Sequence, residues 1–182
     1  MTPQYLTASD GKSIAYYVDD NTKPWANAPT LLLMHSAMGN SQRFFSMVPD
    51  LSKHYRVVRF DLRGHGLSHL PAPDEHFSLG RLVQDALEVL DRVGAKQAHI
   101  VGNSAGGYVA QRIAIEHPDR ALSLTTYGST PGLNHAALGW LPRVAKEGLT
   151  PFLADTIGMR FDLKITPPAL VEWFLKQTGE CN

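Results

Sequence analysis

The stretch Ala98-His99-Ile100-Val101-Gly102-Asn103-Ser104-Ala105-Gly106-Gly107 decides the fold. Residues 98–101 form a short apolar run that suits a buried strand, and residues 105–116 read as a helix ended by His117-Pro118. Between them Gly102-Asn103-Ser104-Ala105-Gly106 is a G-x-S-x-G turn, in the strand-to-helix context that lifts a serine hydroxyl above a sheet. Such a turn is sharp and its serine backbone strained, so bulky neighbours would clash. The plainer reading is a glycine-rich turn with an incidental serine. The flanking strand, the helix and Gly107 favour Ser104 as a nucleophile at a helix N-terminus.

Working outward, apolar runs and helical periods alternate. Residues 5–8 and 13–18 flank Asp10-Gly11, a hairpin signal. Residues 30–35 form a continuous apolar run, suited to a strand covered on both faces, and residues 55–60, rich in Val and aromatic residues, read as a second buried strand. Between them, the spacing of Phe44, Phe45, Val48 and Leu51 predicts a helix over 41–51. Ser78 caps a further helix in which Leu79, Leu82, Val83, Ala86, Leu87, Leu90 and Val93 repeat every three or four residues, and Gly94 ends it. A last strand is predicted over 122–127. This β-α-β-α-β-α-β order implies an α/β fold, a mostly parallel sheet with helices on both faces. After Tyr127 the pattern changes to a loop and three short helices, about 135–146, 150–159 and 168–177. The expected division is a core over 1–130 and a helical cap over 131–182.

Composition narrows the function. Seventeen basic residues balance seventeen acidic ones, so nothing marks a nucleic-acid or anionic-membrane partner. The single cysteine, Cys181, excludes an internal disulfide, and no Cys/His spacing suits zinc, so no metal or organic cofactor is expected. With 43% hydrophobic and 19% charged residues the chain is globular rather than disordered. The longest apolar run, 31–34, is far below the ~20 residues of a membrane-spanning helix. The first ten residues lack the order of a secretory signal, so a soluble, cytoplasmic protein is expected.

Two further motifs support the serine. His35-Ser36-Ala37-Met38-Gly39 follows the first buried strand, where a loop donates a backbone N–H to a developing oxyanion. The expected oxyanion donors are the amides of Ala105 and Ala37. His35 reads chiefly as an imidazole bracing this loop, and is also a candidate for substrate binding together with Met38 and Trp140. Asp61-Leu62-Arg63-Gly64-His65-Gly66-Leu67-Ser68 reads as a tight loop tied together by Asp61 and Arg63.

With these motifs in this order, the chain resembles an α/β-hydrolase over essentially its whole length. Residues 147–156, leading to Arg160-Phe161, resemble the cap helices of 3-oxoadipate enol-lactonases and related esterases, although Ser36 departs from the usual His-Gly pair. The Gly-Asn-Ser-x-Gly-Gly turn is equally similar to that of carbon–carbon bond hydrolases of aromatic ring-cleavage products, so the substrate class stays open. The resemblance implies a triad in the order Ser, Asp or Glu, then His, with the last two after later strands. The histidines after Ser104 are His117, at the far end of a helix, and His135, at the start of the cap, and neither suits a base. The chain is therefore expected to be the N-terminal portion of a longer or cleaved protein, completed by a missing segment or second chain that supplies the histidine and the carboxylate. The expected activity is hydrolysis of a small carboxylic ester or lactone through an acyl-enzyme on Ser104. The alternatives are a carbon–carbon bond hydrolase and a non-catalytic ligand-binding scaffold. Trp140, Phe152, Phe161, Trp173 and Phe174 read either as amphipathic-helix core or as an apolar pocket lining.

Overall fold

In the computed structural model, which describes residues 2–72, 74–132 and 139–178, six strands share one sheet. They are β1 (Gln4–Thr7), β2 (Ser13–Asp19), β3 (Thr30–Met34), β4 (Arg56–Phe60), β5 (Ala98–Asn103) and β6 (Ala121–Tyr127), in the spatial order β1-β2-β4-β3-β5-β6. β1 and β2 form an antiparallel hairpin, β2 runs antiparallel to β4, and β4, β3, β5 and β6 are parallel. The α/β class read from the sequence is the observed one.

All five residues of β3 are buried, because both faces of the sheet are covered at its centre. On one face Leu32, Met34, Val58, Phe60 and Ile100 pack with Val83, Ala86, Leu87 and Leu90 of α2 (Leu79–Arg92) and with Val109, Ala110 and Ile113 of α3 (Ala105–Glu116). On the other face Leu31, Leu33 and Val57 pack with Phe44. The alternation along β3 thus feeds two layers, and each fully buried leucine or phenylalanine contributes about 1.5–3 kcal/mol. At the start of α2 the Ser78 hydroxyl accepts from the Arg81 N–H, and just beyond its end Gly94 adopts φ +72°.

The helix predicted over 41–51 is broken. A 3₁₀ turn at Ser41–Phe44 is followed by a separate four-residue helix α1 (Val48–Leu51). The Asn40 side chain accepts from the Gln42 N–H and starts the tight turn, while Pro49 has no N–H with which to continue a helix from Phe45. Phe44 is therefore buried, whereas Phe45 is 54% exposed.

Beyond β6 lie α4 (Leu141–Glu147), α5 (Leu149–Asp155), a 3₁₀ turn at Ile157–Met159 and α6 (Pro168–Thr178). The predicted start of the first of these helices, at His135, falls outside the described residues, as does Cys181. The single helix predicted over 150–159 ends instead at Asp155, and the Thr156 hydroxyl donates to the Phe152 carbonyl (2.7 Å). No described helix is long and apolar enough to cross a membrane. β6 is an edge of the sheet and exposes Leu122, Leu124 and Tyr127.

Candidate active site

Ser104 occupies the single residue between β5 and α3, with φ +50° and ψ −110°. Among the described residues it is the only non-glycine with positive φ. A side chain held there costs about 1–3 kcal/mol and persists only where its surroundings enforce it. Those surroundings are backbone groups and one side-chain hydroxyl. The Ser104 N–H donates to the Tyr127 carbonyl (3.0 Å) and the Gly106 N–H to the His35 carbonyl (3.0 Å). The Gly107 N–H and the Ser129 hydroxyl both donate to the Ser104 carbonyl (2.9 Å each). A Cβ on Gly102 would lie 2.7 Å from Gly107 Cα, and one on Gly106 would lie 2.8 Å from the His35 carbonyl oxygen. Strand, turn and helix meet there backbone to backbone, so both positions require glycine.

The loop after β3 is fixed by two histidines. His35 is fully buried, its Nδ1 donating to the Ser36 carbonyl (2.7 Å) and its Nε2 accepting from the Leu62 N–H (2.8 Å). Burial pushes this imidazole down to about 3, with neighbouring His65 adding to the shift, so it is neutral with its proton on Nδ1. His65 lies edge-on to it at 5.2 Å and donates from Nε2 to the Ala37 carbonyl (2.7 Å). The Asp61 carboxylate accepts from the Ser41 and Leu67 N–H groups (2.8 and 2.9 Å). Arg63, also buried, pairs with Asp85 and Asp10, both at 2.8 Å. Asp61 and Arg63 tie the loop together rather than face a ligand.

A cavity of about 380 Å³ opens above Ser104. From the loop it is lined by Ser36, Ala37 and Met38, and from the segments after β6 by Trp140, Arg160, Phe161 and Phe174. The structure thus brings Ser104, Ala37, Met38 and Trp140 together. It does not bring His35 to the cavity: both ring nitrogens are spent on backbone groups beneath the loop, so the substrate-binding expectation for His35 is corrected to a bracing role. Ala105 lines a different cavity, beside Leu82 and Tyr108. Among the described residues neither the Ala37 nor the Ala105 N–H donates to a protein acceptor.

The five aromatics divide. Trp140, Phe161 and Phe174 line the cavity, Phe152 packs behind Trp140 (6.2 Å between rings), and Trp173 meets Phe45 edge-on (4.9 Å). Arg43 joins the two sides of the site. Its Nη2 donates to the Met38 carbonyl (3.0 Å), the Phe174 carbonyl (3.0 Å) and the Thr178 hydroxyl (2.8 Å), and its Cζ lies 3.5 Å from the Phe174 ring centre. The roles of Arg43, His65 and Arg160 were missed by sequence reasoning. No local signal singles them out: neither Arg43 nor Arg160 has an Asp or Glu three or four residues away to form a helical ion pair.

No Asp, Glu or His lines the cavity among the described residues. His117 caps the far end of α3 from Ser104, and His135 lies outside the described residues. The described residues contain no cluster of three or more metal-ligating side chains.

Residues 29–158 match the family model of the alpha/beta hydrolase fold. The chain belongs to the α/β-hydrolases. A hydrolase from Pseudomonas aeruginosa PA01 superimposes with a TM-score of 0.85 at 33% identity, over 100% of this chain and 68% of that one. The enol-lactonase from Burkholderia xenovorans LB400 gives 0.84 at 26% identity, over 96% of this chain and 67% of that one. A fluoroacetate dehalogenase from a Burkholderia species is 36% identical over 108 residues, 58% of this chain. That match spans only 36% of the dehalogenase's own length.

Proposed function

We propose that this chain carries the nucleophile and oxyanion donors of a serine hydrolase that cleaves a small carboxylic ester or lactone. Ser104 Oγ attacks the carbonyl carbon as a base takes its proton. The Ala105 and Ala37 amides hold the oxygen that gains charge, and collapse expels the alkoxide as an alcohol. Water then attacks the acyl-serine by the same route and regenerates the hydroxyl. The observation that carries this reading is the strained Ser104 at the start of α3, facing a cavity beside two amides that have no protein acceptor among the described residues.

Serine also favours acyl chemistry over dehalogenation. A serine that displaces halide becomes an ether, which water does not cleave, whereas an acyl-serine is an ester, which it does. The base and its carboxylate partner are assigned to a segment or chain that pairs with β6. Support comes from the exposed Leu122 and Leu124 on that edge strand, and from the greater length of the P. aeruginosa hydrolase. In this reading residues 1–130 are the core and residues 131–182 the cap.

The rival reading, a ligand-binding scaffold, draws on the lack of a base in the described lining. A fluorophosphonate probe separates the two, because labelling requires an activated serine. The expected result on the intact protein is labelling at Ser104 by peptide mass, and a fall in 4-nitrophenyl butyrate turnover of at least about 10³-fold in Ser104→Ala. Equal turnover in the alanine variant, or no labelling, overturns the serine-hydrolase reading.

A further inference from the structure

We propose that Ser129 is a positioning residue for the oxyanion site: by holding the Ser104 carbonyl it aims and polarises the Ala105 N–H; this rests on the serine-hydrolase reading above. The Ser129 Oγ donates to the Ser104 carbonyl (2.9 Å), and its alternative acceptor, the Tyr127 carbonyl, lies farther off at 3.4 Å. The Ser104 carbonyl and the Ala105 N–H are the two ends of one peptide unit. Among the described residues no peptide bond is cis, so these two groups point in opposite directions. A donor fixed on the oxygen therefore fixes where the N–H points. It also favours the resonance form with a negative oxygen and a positive nitrogen, which makes the N–H the stronger donor.

Three features seat Ser129 against the turn. Gly128, at φ +62°, bends the chain back after β6, and the Tyr127 carbonyl before it accepts from the Ser104 N–H (3.0 Å) and from Asn103 Nδ2 (3.1 Å). Gln111 Nε2, from α3, donates to the Thr130 carbonyl just beyond (3.2 Å). A Cβ on Gly107 would fall on Ser129 Oγ, so the glycine that follows the G-x-S-x-G turn leaves room for this hydroxyl. The other oxyanion amide is built alike. His35 Nδ1 donates to the Ser36 carbonyl (2.7 Å), the far end of the peptide that carries the Ala37 N–H. Each amide thus has a side-chain donor on the carbonyl of its own peptide unit. The help is greatest when negative charge develops on the substrate oxygen, because the peptide is then most polarised. Ser129 therefore acts on kcat and on the binding of a charged tetrahedral adduct, and leaves KM alone.

The test compares wild type, Ser129→Ala and Ser129→Thr in the intact protein by three readouts. These are 4-nitrophenyl butyrate kinetics, inhibition by butylboronic acid, and the NMR shift of the Ala105 amide proton. Butylboronic acid bonds its boron to Ser104 Oγ, whose proton goes to the base, and becomes a tetrahedral anion with an oxygen in the place of the oxyanion. In Ser129→Ala the expected results are a kcat about tenfold lower at unchanged KM, a Ki for the boronic acid raised by a similar factor, and an Ala105 amide proton moved upfield. Ser129→Thr keeps the hydroxyl and returns all three toward wild type. A loss carried by KM, a Ki unchanged while kcat falls, or an Ala105 proton that does not move overturns the proposal and leaves the Ser104 reading to its own test. An Ala105 proton that moves in Ser129→Ala and returns in Ser129→Thr, in a protein that neither turns over esters nor binds the boronic acid, sustains the coupling of Ser129 to Ala105 and sinks the serine-hydrolase reading.

Discussion

Around Ser104 the contacts run chiefly from backbone to backbone, whereas around Arg160, on the other wall of the same cavity, they run through side chains. At Ser104 the carbonyls of Met34, His35 and Tyr127 press on the turn, and nothing larger than hydrogen fits at Gly102 or Gly106. The α4–α6 side is held by Arg43 and by aromatic pairs, and exposes Met159, Leu163 and Ile165. The difference separates two tasks. In the proposed reading, reacting geometry would be built into the sheet, where any error costs folding as well as chemistry. Substrate choice would then fall to a layer whose side chains can change without disturbing the sheet.

The sharpest way to break this contrast is Gly106→Val. Its Cβ would fall on the Met34 and His35 carbonyls, which belong to the centre of the sheet and cannot retreat. The expected destabilisation exceeds about 4 kcal/mol, a large part of the total stability of a small domain. Urea melts check this, and a protein with an unchanged midpoint would show that the turn has slack.

Acid should reach the same region next. His35 is held near 3 by burial, against 6.5 in an unfolded chain, so the unfolded state binds the proton first as pH falls. Its contribution is complete above about pH 6.5 and is lost progressively toward pH 3, with an upper bound of about 5 kcal/mol at the lower end. Stability measured between pH 6 and pH 4 should fall with a slope about 1.4 kcal/mol per pH unit steeper in wild type than in His35→Gln. Equal slopes would mean that the imidazole is hydrated rather than sealed beneath the loop.

Arg43→Met probes the side-chain wall. It removes a guanidinium that donates to the Met38 carbonyl in its own loop and, across to α6, to the Phe174 carbonyl and the Thr178 hydroxyl, at an expected cost of about 2 kcal/mol. Amide exchange in α6 should then quicken about thirtyfold while β5 keeps its protection. If β5 loosens equally, the two regions are one cooperative unit and the contrast fails. At the small end, Arg112→Ala deletes an exposed ion pair with Glu116 on α3 and should shift stability by no more than about 0.5 kcal/mol. A larger shift would show that the outer face of α3 also carries the turn.

What the sequence by itself determined is what local pattern can express. The strand–turn–helix at Ser104 follows from three glycines bracketing a serine between an apolar run and a helical period. The first covered strand follows from an unbroken apolar run, the second from its Val and aromatic content, and α2 from Ser78, its heptad-like spacing and Gly94. Even the placement of Ala37 and Met38 near Ser104 is a consequence of order along the chain, because parallel strands bring their carboxyl ends to one edge. Only the tertiary structure decided the rest. It split the helix predicted over 41–51 into two short turns, buried His35 against Leu62 instead of turning it to the cavity, and joined Arg43 to Phe174 across 131 residues. It also left Arg160 in the lining without an acidic partner among the described residues. The physical reason is one of range: periodicity and turn chemistry act within a few residues. A polar side chain's role is set by what long-range packing places beside it, and by which of its donors and acceptors that packing leaves unspent.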